Sequence, residues 1–595
     1  MEYKTMASRP LNYLSILFLF ACLLAPATWA ATATEQLQRI IDDHWQYSLK
    51  EDPITAGRMG VPDYNDRLPG VAPQDRARRL KAEQQFLARL KQIDASQLSE
   101  SDRVNHELLT WVLRNSTEGN QLFIDRIPFN TFYSFWTAAL EANDGLAMTK
   151  VKDYEDYIAR IQDFGRYFDE NIANMRQGIE DGFVLPKIVV EGVAPTVRAQ
   201  VKADPTKSKL YEPFENMPAT IPAKEQQRLR AQGQQAIKQA AIPAFARVAD
   251  FLEGDYLQAA TDSLAAQDLP GGKDYYRHAI NTYVTLDMDP AEIHRIGLSE
   301  VKRIRAEMDQ LIKDSGFKGS FEEFTEFLRT DPQFYAKTPK DLLKEASYIA
   351  KKIDYQLPEF FGRLPRLPYG VVPVPDEIAP NYTTASYNPA AIGGTRGGAY
   401  WVNTHALDQR PLYELPALTL HESVPGHHLQ GALSLELENV PDFRRNLYLS
   451  AFGEGWGLYS ERLGKEMDDI YTTPYEHFGR LSYEMWRAAR LVLDTGIHSQ
   501  GWTRQQALDF LSDNTSLSDA NVRAEVDRYI SWPGQALSYK MGEIKIRELR
   551  ERAEKALGDK FELREFHDAV LANGALPMEM LEVQMDRFIA EQKKS

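Results

Sequence analysis

"LTLHESVPGHHLQ", residues 418–430, opens as a zinc-peptidase helix opens and then departs from it. The usual pattern is His-Glu-x-x-His, two histidines one helical turn apart with a glutamate beside the first. His421 and Glu422 begin it, but Pro425 stands where the second histidine belongs, and His427 and His428 follow Gly426. Residues four apart on a straight helix differ by ~40° and rise about 6 Å, so two imidazoles can converge on one ion about 2 Å from each nitrogen. His428 returns to within about 20° of the phase of His421 but stands roughly 10 Å further along the axis, while His427 points away by about 120°. A straight helix fails for both. Pro425 removes the hydrogen bond to the carbonyl of residue 421 and collides with it, and Gly426 accepts the backbone angles of a break. The sequence demands a bend between the ligands and leaves both histidines open as the second one.

A His-Glu pair with a neighbouring histidine also occurs in hydrogen-bonded cores, so the metal reading needs a third donor. Zinc sites of two histidines and a glutamate take the glutamate from a second element packed on the first. "FGEGWGLYSERL", residues 452–463, supplies Glu454, 27 residues after His427. Gly453, Gly455 and Gly457 let two helices approach closely, and Phe452, Trp456 and Leu458 imply burial of the carboxylate among them. A buried carboxylate needs a cation.

Outward from this pair of segments, the chain has 595 residues, 43% hydrophobic and 26% charged, enough for a sizeable core. A net charge of −16, with no block of Lys and Arg, argues against a nucleic-acid partner. Residues 1–30 read as a signal peptide: Lys4 and Arg9, the apolar run "LNYLSILFLFACLLA", then "PATWAATA". Its removal takes away Lys4, Arg9 and Glu2 and leaves the chain one charge more negative. It also takes Cys22, the single cysteine, and with it any disulfide or thiolate site. "LFAC" faintly resembles a lipoprotein box, so membrane contact is expected only if the chain is lipid-anchored there or the signal stays uncleaved. Either way the protein is exported, to the periplasm.

Apolar residues recur at helical spacing through "ATEQLQRIIDDHWQYSLK" and "DYEDYIARIQDFGRYFDENIANMRQGIEDG", with loops near residues 203–225 and 266–276 and a boundary near 285. The expected organisation is a signal peptide (1–30), a helical N-terminal region (31–285) and a helical catalytic region carrying the metal (286–595). Between about 366 and 404, Val, Tyr and Thr punctuated by Pro and Gly read as short strands, with "GGTRGG" a turn between them. Thr503 with Gln506 is a capping box opening a later helix.

"HESVPGHHLQ", "GEGWGLYSE", "DTGIH" and "RYISWPGQALSYKMG" together resemble the bacterial family called domain of unknown function 885 (DUF885), over most of the mature chain and most densely from about 380 to 545. The family's motif, His-Glu-x-x-Pro-Gly-His, is matched by His421, Glu422 and His427. It looks like a variant of the gluzincin-type zinc metallopeptidases, and "EGWGLY" is similar to the third-ligand helix of their aminopeptidase branch. The resemblance implies one zinc per chain held by His421, His427 and Glu454, with His428 as substitute for His427, and Glu422 as general base. Glu461 is a candidate to orient a ligand histidine. Tyr529, Tyr539 and His498 are candidates to stabilise an oxyanion; Arg487, Arg490 and Lys540 to hold a substrate carboxylate; and Tyr400 and Trp401 in "GGAYWVN" to form an edge strand that pairs with a peptide. The expected fold is mainly α, a multi-helical metallopeptidase-like unit with a small β element beside the active-site helix and a deep cleft. The expected function is an exported zinc-dependent peptidase of short peptides. A non-catalytic exported scaffold, and a metal hydrolase of other amides or esters, are the alternatives.

Overall fold

The computed structural model describes residues 31–376, 378–390 and 396–594. The leader with Cys22, and residues 391–395, which include the first three positions of "GGTRGG", lie outside the described residues. The architecture is mainly α-helical with one small sheet. The elements that build the candidate site are α1 (Pro290–Asp314), α2 (Pro339–Phe360), α3 (Leu415–Glu422), α4 (His427–Leu435), α5 (Ser450–Leu463), α6 (Pro474–Gln500), α7 (Asp519–Ser531) and α8 (Ser538–Leu557). The strands are β1 (Tyr369–Pro373), β2 (Ala385–Asn388) and β3 (Gly398–Val402).

Helix α6 is the central pillar, its start closed by a capping box between Thr473 and Glu476 and its end by Gly501 in the left-handed region. It is buried nearly all round, and its polar residues survive there by pairing: Arg480 with Glu484 at 2.9 Å and Arg490 with Glu525 of α7 at 3.0 Å. Glycines allow the tightest crossings. A Cβ on Gly297 would lie 2.8 Å from Leu491, where α1 meets α6, and one on Gly455 would lie 2.6 Å from Gly542, where α5 meets α8. The capping box expected at Thr503 and Gln506 is present.

The sheet has the order β1-β3-β2, with β1 parallel and β2 antiparallel to β3. This corrects one expectation: β3 is the middle strand, Tyr400 being paired with Val371 on one side and Tyr387 on the other, so it offers no free edge to a peptide. The Tyr400 side chain is in the core, its hydroxyl 3.3 Å from Thr419 of α3. Trp401, on the opposite face, packs on Tyr382.

The two largest apolar clusters both draw on residues either side of 285. One joins Leu37, Leu108 and Leu113 to Leu420, Trp456 and Leu549. The other joins Phe168, Val190 and Phe245 to Leu493, Ile497 and Tyr529. The expected division into 31–285 and 286–595 therefore does not coincide with separate cores. No helix among the described residues is long and apolar enough to cross a membrane.

Candidate metal centre

The break foreseen at Pro425-Gly426 separates α3 from α4. Across it the backbone widens: the Gly426 amide donates to the carbonyl of Leu420 at 3.0 Å and the His428 amide to that of Ser423 at 2.9 Å. A Cβ at Gly426 would collide with the carbonyl oxygens of Leu420 and His421, so glycine is required by close approach. Trp456 of α5 clamps the break, its indole N–H donating to the Pro425 carbonyl at 2.7 Å.

This loop brings His427 back beside His421, ring centroids 4.7 Å apart and planes perpendicular. The Nε2 atoms of both lie 3.4 Å from Oε2 of Glu454. One donor atom from each of the three residues falls within 4.8 Å of the others. Ligands about 2 Å from a tetrahedral ion stand about 3.3 Å apart, so this set of two imidazoles and a carboxylate could hold a metal ion. Each glycine of "GEGWG" has a neighbour that needs the room. A Cβ on Gly453 would lie 2.6 Å from the Tyr448 ring, and one on Gly457 2.7 Å from the His421 ring.

Around the three donors, Nδ1–H of His421 donates to Glu461 at 2.8 Å, which leaves Nε2 turned to Glu454. Arg487 approaches Glu461 from α6 at 3.7 Å, so it sits behind a ligand, buried, and does not reach out to substrate. Burial opposes a proton on His421, but its bonds to Glu454 and Glu461 and the charges of Glu461 and Glu422 win and raise its pKa to about 10. Glu454 is also desolvated, yet His427 and His421 hold its carboxyl well below the ordinary range. Between Glu454 and Glu461 the His421 imidazolium supplies the positive charge in the metal-free protein. Glu422 is not one of the three converging donors, and its carboxylate has no hydrogen bond or ion pair among the described residues.

Several candidates are placed elsewhere. His428 turns to the sheet, where its Nε2–H donates to the Leu367 carbonyl at 3.1 Å, its Nδ1 accepts from the Tyr387 hydroxyl at 3.1 Å, and burial lowers its pKa to about 4. Both nitrogens are used, and it does not stand in for His427. His498 is fully buried, accepting from the Ala266 amide at 3.2 Å and donating to the Tyr529 carbonyl at 2.9 Å. The Tyr529 hydroxyl is likewise enclosed, donating to Glu525 at 2.7 Å and accepting from Trp486 and Arg490 at 3.0 Å each. Neither is available to an oxyanion. Lys540 is completely buried among Glu300 at 3.0 Å and Glu484 and Glu543 at 2.9 Å, so its charge is spent inside the protein. Tyr539 remains half-buried at the site's edge, its ring under the Arg490 guanidinium at 4.3 Å.

Two tyrosines went unnoticed in the sequence. The Tyr448 hydroxyl donates to Oε1 of Glu454 at 3.0 Å, and its pKa is raised well above the usual range by loss of solvent and by Glu454. Tyr133, from the distant N-terminal half, is raised by loss of solvent and feels the charges of Tyr539, Arg528 and Glu454. Neither lies in a periodic or motif-like context, so no local signal marks them. Two small pockets lie away from the donors. One is lined by Arg410, Glu414, Leu418 and Tyr483 among others, and the other by Leu185, Tyr275, His498 and Pro533 among others. Neither is the deep cleft expected at the motif.

With the geometry in hand, residues 53–585 match the family described as "Bacterial protein of unknown function (DUF885)". The chain belongs to that family. No curated protein matches it. Two solved structures described as "putative lipoprotein" share the fold. The one from Colwellia psychrerythraea has a TM-score of 0.89 at 27% identity, covering 94% of this chain and all 100% of its own. The one from Shewanella oneidensis, of unknown function, has a TM-score of 0.74 at 18% identity, covering 93% and 100%.

Proposed function

We propose that this DUF885 protein is an exported zinc-dependent hydrolase of the gluzincin kind that cleaves short peptides. The observation that carries the reading is the convergence of His421, His427 and Glu454 donors within 4.8 Å, with Glu422 adjacent and unpaired. His421, His427 and Glu454 would hold the ion, with Glu461 orienting His421 and Tyr448 orienting Glu454. When bound, zinc supplies a Lewis acid for the scissile carbonyl and lowers the pKa of water toward 7. Glu422 accepts the proton of the attacking water and returns it to the leaving amine, a role open to it because its carboxylate is committed to no other group. Export rests on the leader at residues 1–30 and agrees with the descriptions of the two structural relatives.

Purified protein is expected to carry about one zinc per chain and to cleave members of a short-peptide library in a chelator-sensitive way. Glu422→Gln should keep the zinc and lose hydrolysis by at least ~10²-fold, while His421→Ala should lose the zinc. Metal loss in Glu422→Gln, or undiminished turnover with the metal kept, would remove Glu422 as the base.

A further inference from the structure

Beside Glu454 lies a patch that the zinc chemistry does not use. Phe132 and Tyr133 sit at the tip of a short loop in the N-terminal half and are 55% and 58% exposed. The loop is held in place. The amides of Phe132 and Tyr133 donate to Asn130 Oδ1 at 2.7 and 2.6 Å, and Thr131 bonds to Ser531 at the end of α7 at 3.2 and 3.0 Å. Exposed aromatic rings on a pinned loop cost solvation without closing a core, and this asks for an occupant. Phe132 stacks on Trp532 at 6.1 Å, Tyr133 meets the same indole edge-on at 5.1 Å, and the Trp532 N–H is fastened to Tyr283 at 2.6 Å.

At the foot of this wall is Arg528, whose guanidinium lies 5.2 Å from the Phe132 ring and 5.7 Å from that of Trp532. Its Nη2 donates to Gln535 Oε1 at 2.8 Å and to the Tyr539 hydroxyl at 3.4 Å, its Nη1 lies a long 3.5 Å from Glu525, and its Nε is buried with no acceptor among the described residues. Arg490 is the deeper partner, 3% exposed in its side chain against 14% for Arg528, and it engages Glu525 at 3.0 Å. Two guanidiniums share the carboxylate of Glu525, so that group of three carries one positive charge in excess on a chain whose net charge is −16. The patch adjoins the metal donors: α5 and α8 are joined by Ser450 and Ser538 at 2.8 Å, which sets Tyr539 beside the turn that carries Glu454.

We propose that Arg528 anchors a carboxylate of the peptide substrate while Phe132, Tyr133 and Trp532 take an apolar side chain next to it. This assignment builds on the hydrolase reading of the neighbouring centre and names its substrate class, peptides that are anionic at one end and apolar beside it. An arginine whose Nη1 is only weakly engaged, backed by aromatic faces, suits a carboxylate better than an amide or an amine, because a cation would be repelled and a neutral group would leave the charge unpaired. Arg490 acts as a positioning residue, holding Tyr539 and sharing Glu525 so that the charge of Arg528 is not cancelled.

Binding tests this apart from turnover. Zinc-loaded, full-length Glu422→Gln protein is dialysed against tetrapeptides ending in Phe, Leu or Ala, each as free acid and as C-terminal amide, together with amides that carry an internal Glu. Free acids ending in Phe or Leu should bind at least tenfold tighter than their amides, and Arg528→Gln should bring the acids down to the level of the amides. Phe132→Ala/Tyr133→Ala, changes at exposed rings that leave the core untouched, should abolish the preference for Phe over Ala while acid still beats amide. Tight binding of the Glu-containing amides would assign the carboxylate to a substrate side chain with Arg528 still its anchor. Equal binding of all forms, discrimination that survives Arg528→Gln, or no binding of any peptide at millimolar concentration would overturn the proposal. If acid-selective binding is found in a protein that hydrolyses nothing, the hydrolase reading fails and the anchor stands.

Discussion

At the scale of single residues, the two adjacent histidines differ only in which side of a bent backbone they occupy. His427 faces Glu454 at 3.4 Å, whereas His428 has both ring nitrogens bonded and packs on Tyr369 with ring centroids 4.6 Å apart. His427→Ala should therefore lower zinc affinity by more than ~100-fold with a small effect on the melting temperature of the metal-free protein. His428→Ala should do the reverse, costing about 2 kcal/mol of stability through lost packing and two orphaned partners while zinc affinity falls by only a few-fold. Zinc titration and thermal melts of the two variants decide this, and the opposite ranking would return His428 to the metal. The lysine and arginines illustrate the same point for charge. Lys540 looked available in sequence, but its three carboxylate partners come from residues 240 positions apart or closer to home, and only folding reveals that they meet.

At the scale of elements, the site is a crossing of α5 with the broken α3–α4 segment, and α8 presses α5 from behind. The crossing depends on absent side chains. A methyl on Gly455 would lie 2.6 Å from the Gly542 backbone, which a neighbouring side chain could not relieve by rotating. Gly455→Ala should thus push α5 off α8, costing about 1–3 kcal/mol of unfolding free energy. It should also weaken zinc binding, because Glu454 precedes it and Gly457 carries the His421 ring. Urea unfolding measured with and without zinc separates the two effects. A variant with wild-type midpoint and wild-type zinc affinity would show that the close crossing is not needed. The pairing of the two motifs was legible because a third converging donor must come from a second element. The order of the strands was not: β3 became the middle of the sheet through pairing with β1, 29 residues earlier in register, a contact that no local pattern encodes.

At the scale of the whole molecule, the buried charge of the centre links metal, proton and stability. The His421 pKa is raised from 6.5 in the unfolded chain to about 10, through burial opposed by the Glu454 and Glu461 bonds, so folding favours its protonated form. In the metal-free protein that contribution to stability is fully present below about pH 6.5 and is lost as pH rises toward 10. Zinc, if held there as proposed, would replace the proton at the same carboxylates. Melting temperatures of the zinc-free protein should accordingly decline between pH 7 and pH 10 more steeply than those of the zinc-loaded protein. Calorimetry near pH 7.5 in buffers of different ionisation enthalpy should detect about one proton released per zinc bound. Parallel pH profiles with no proton release would show that His421 is neutral in the absence of metal. The loop that brings Phe132 and Tyr133 to the half that carries His421, His427 and Glu454 depends on whole-chain packing as well, for both large cores cross residue 285.

By itself the sequence determined the helical class, the short β segment before the motif, the bend at Pro425-Gly426 and the pairing of His421 with Glu454, because each follows from local periodicity, backbone limits or donor chemistry. The choice of His427 over His428 at the centre, the burial of Lys540, His498 and Tyr529, and the arrival of Tyr448, Tyr133 and Arg528 were decided by tertiary structure alone. The physical reason is that a side chain's role depends on which partners compete for its hydrogen bonds and charge, and those partners are gathered by packing from parts of the chain hundreds of residues apart.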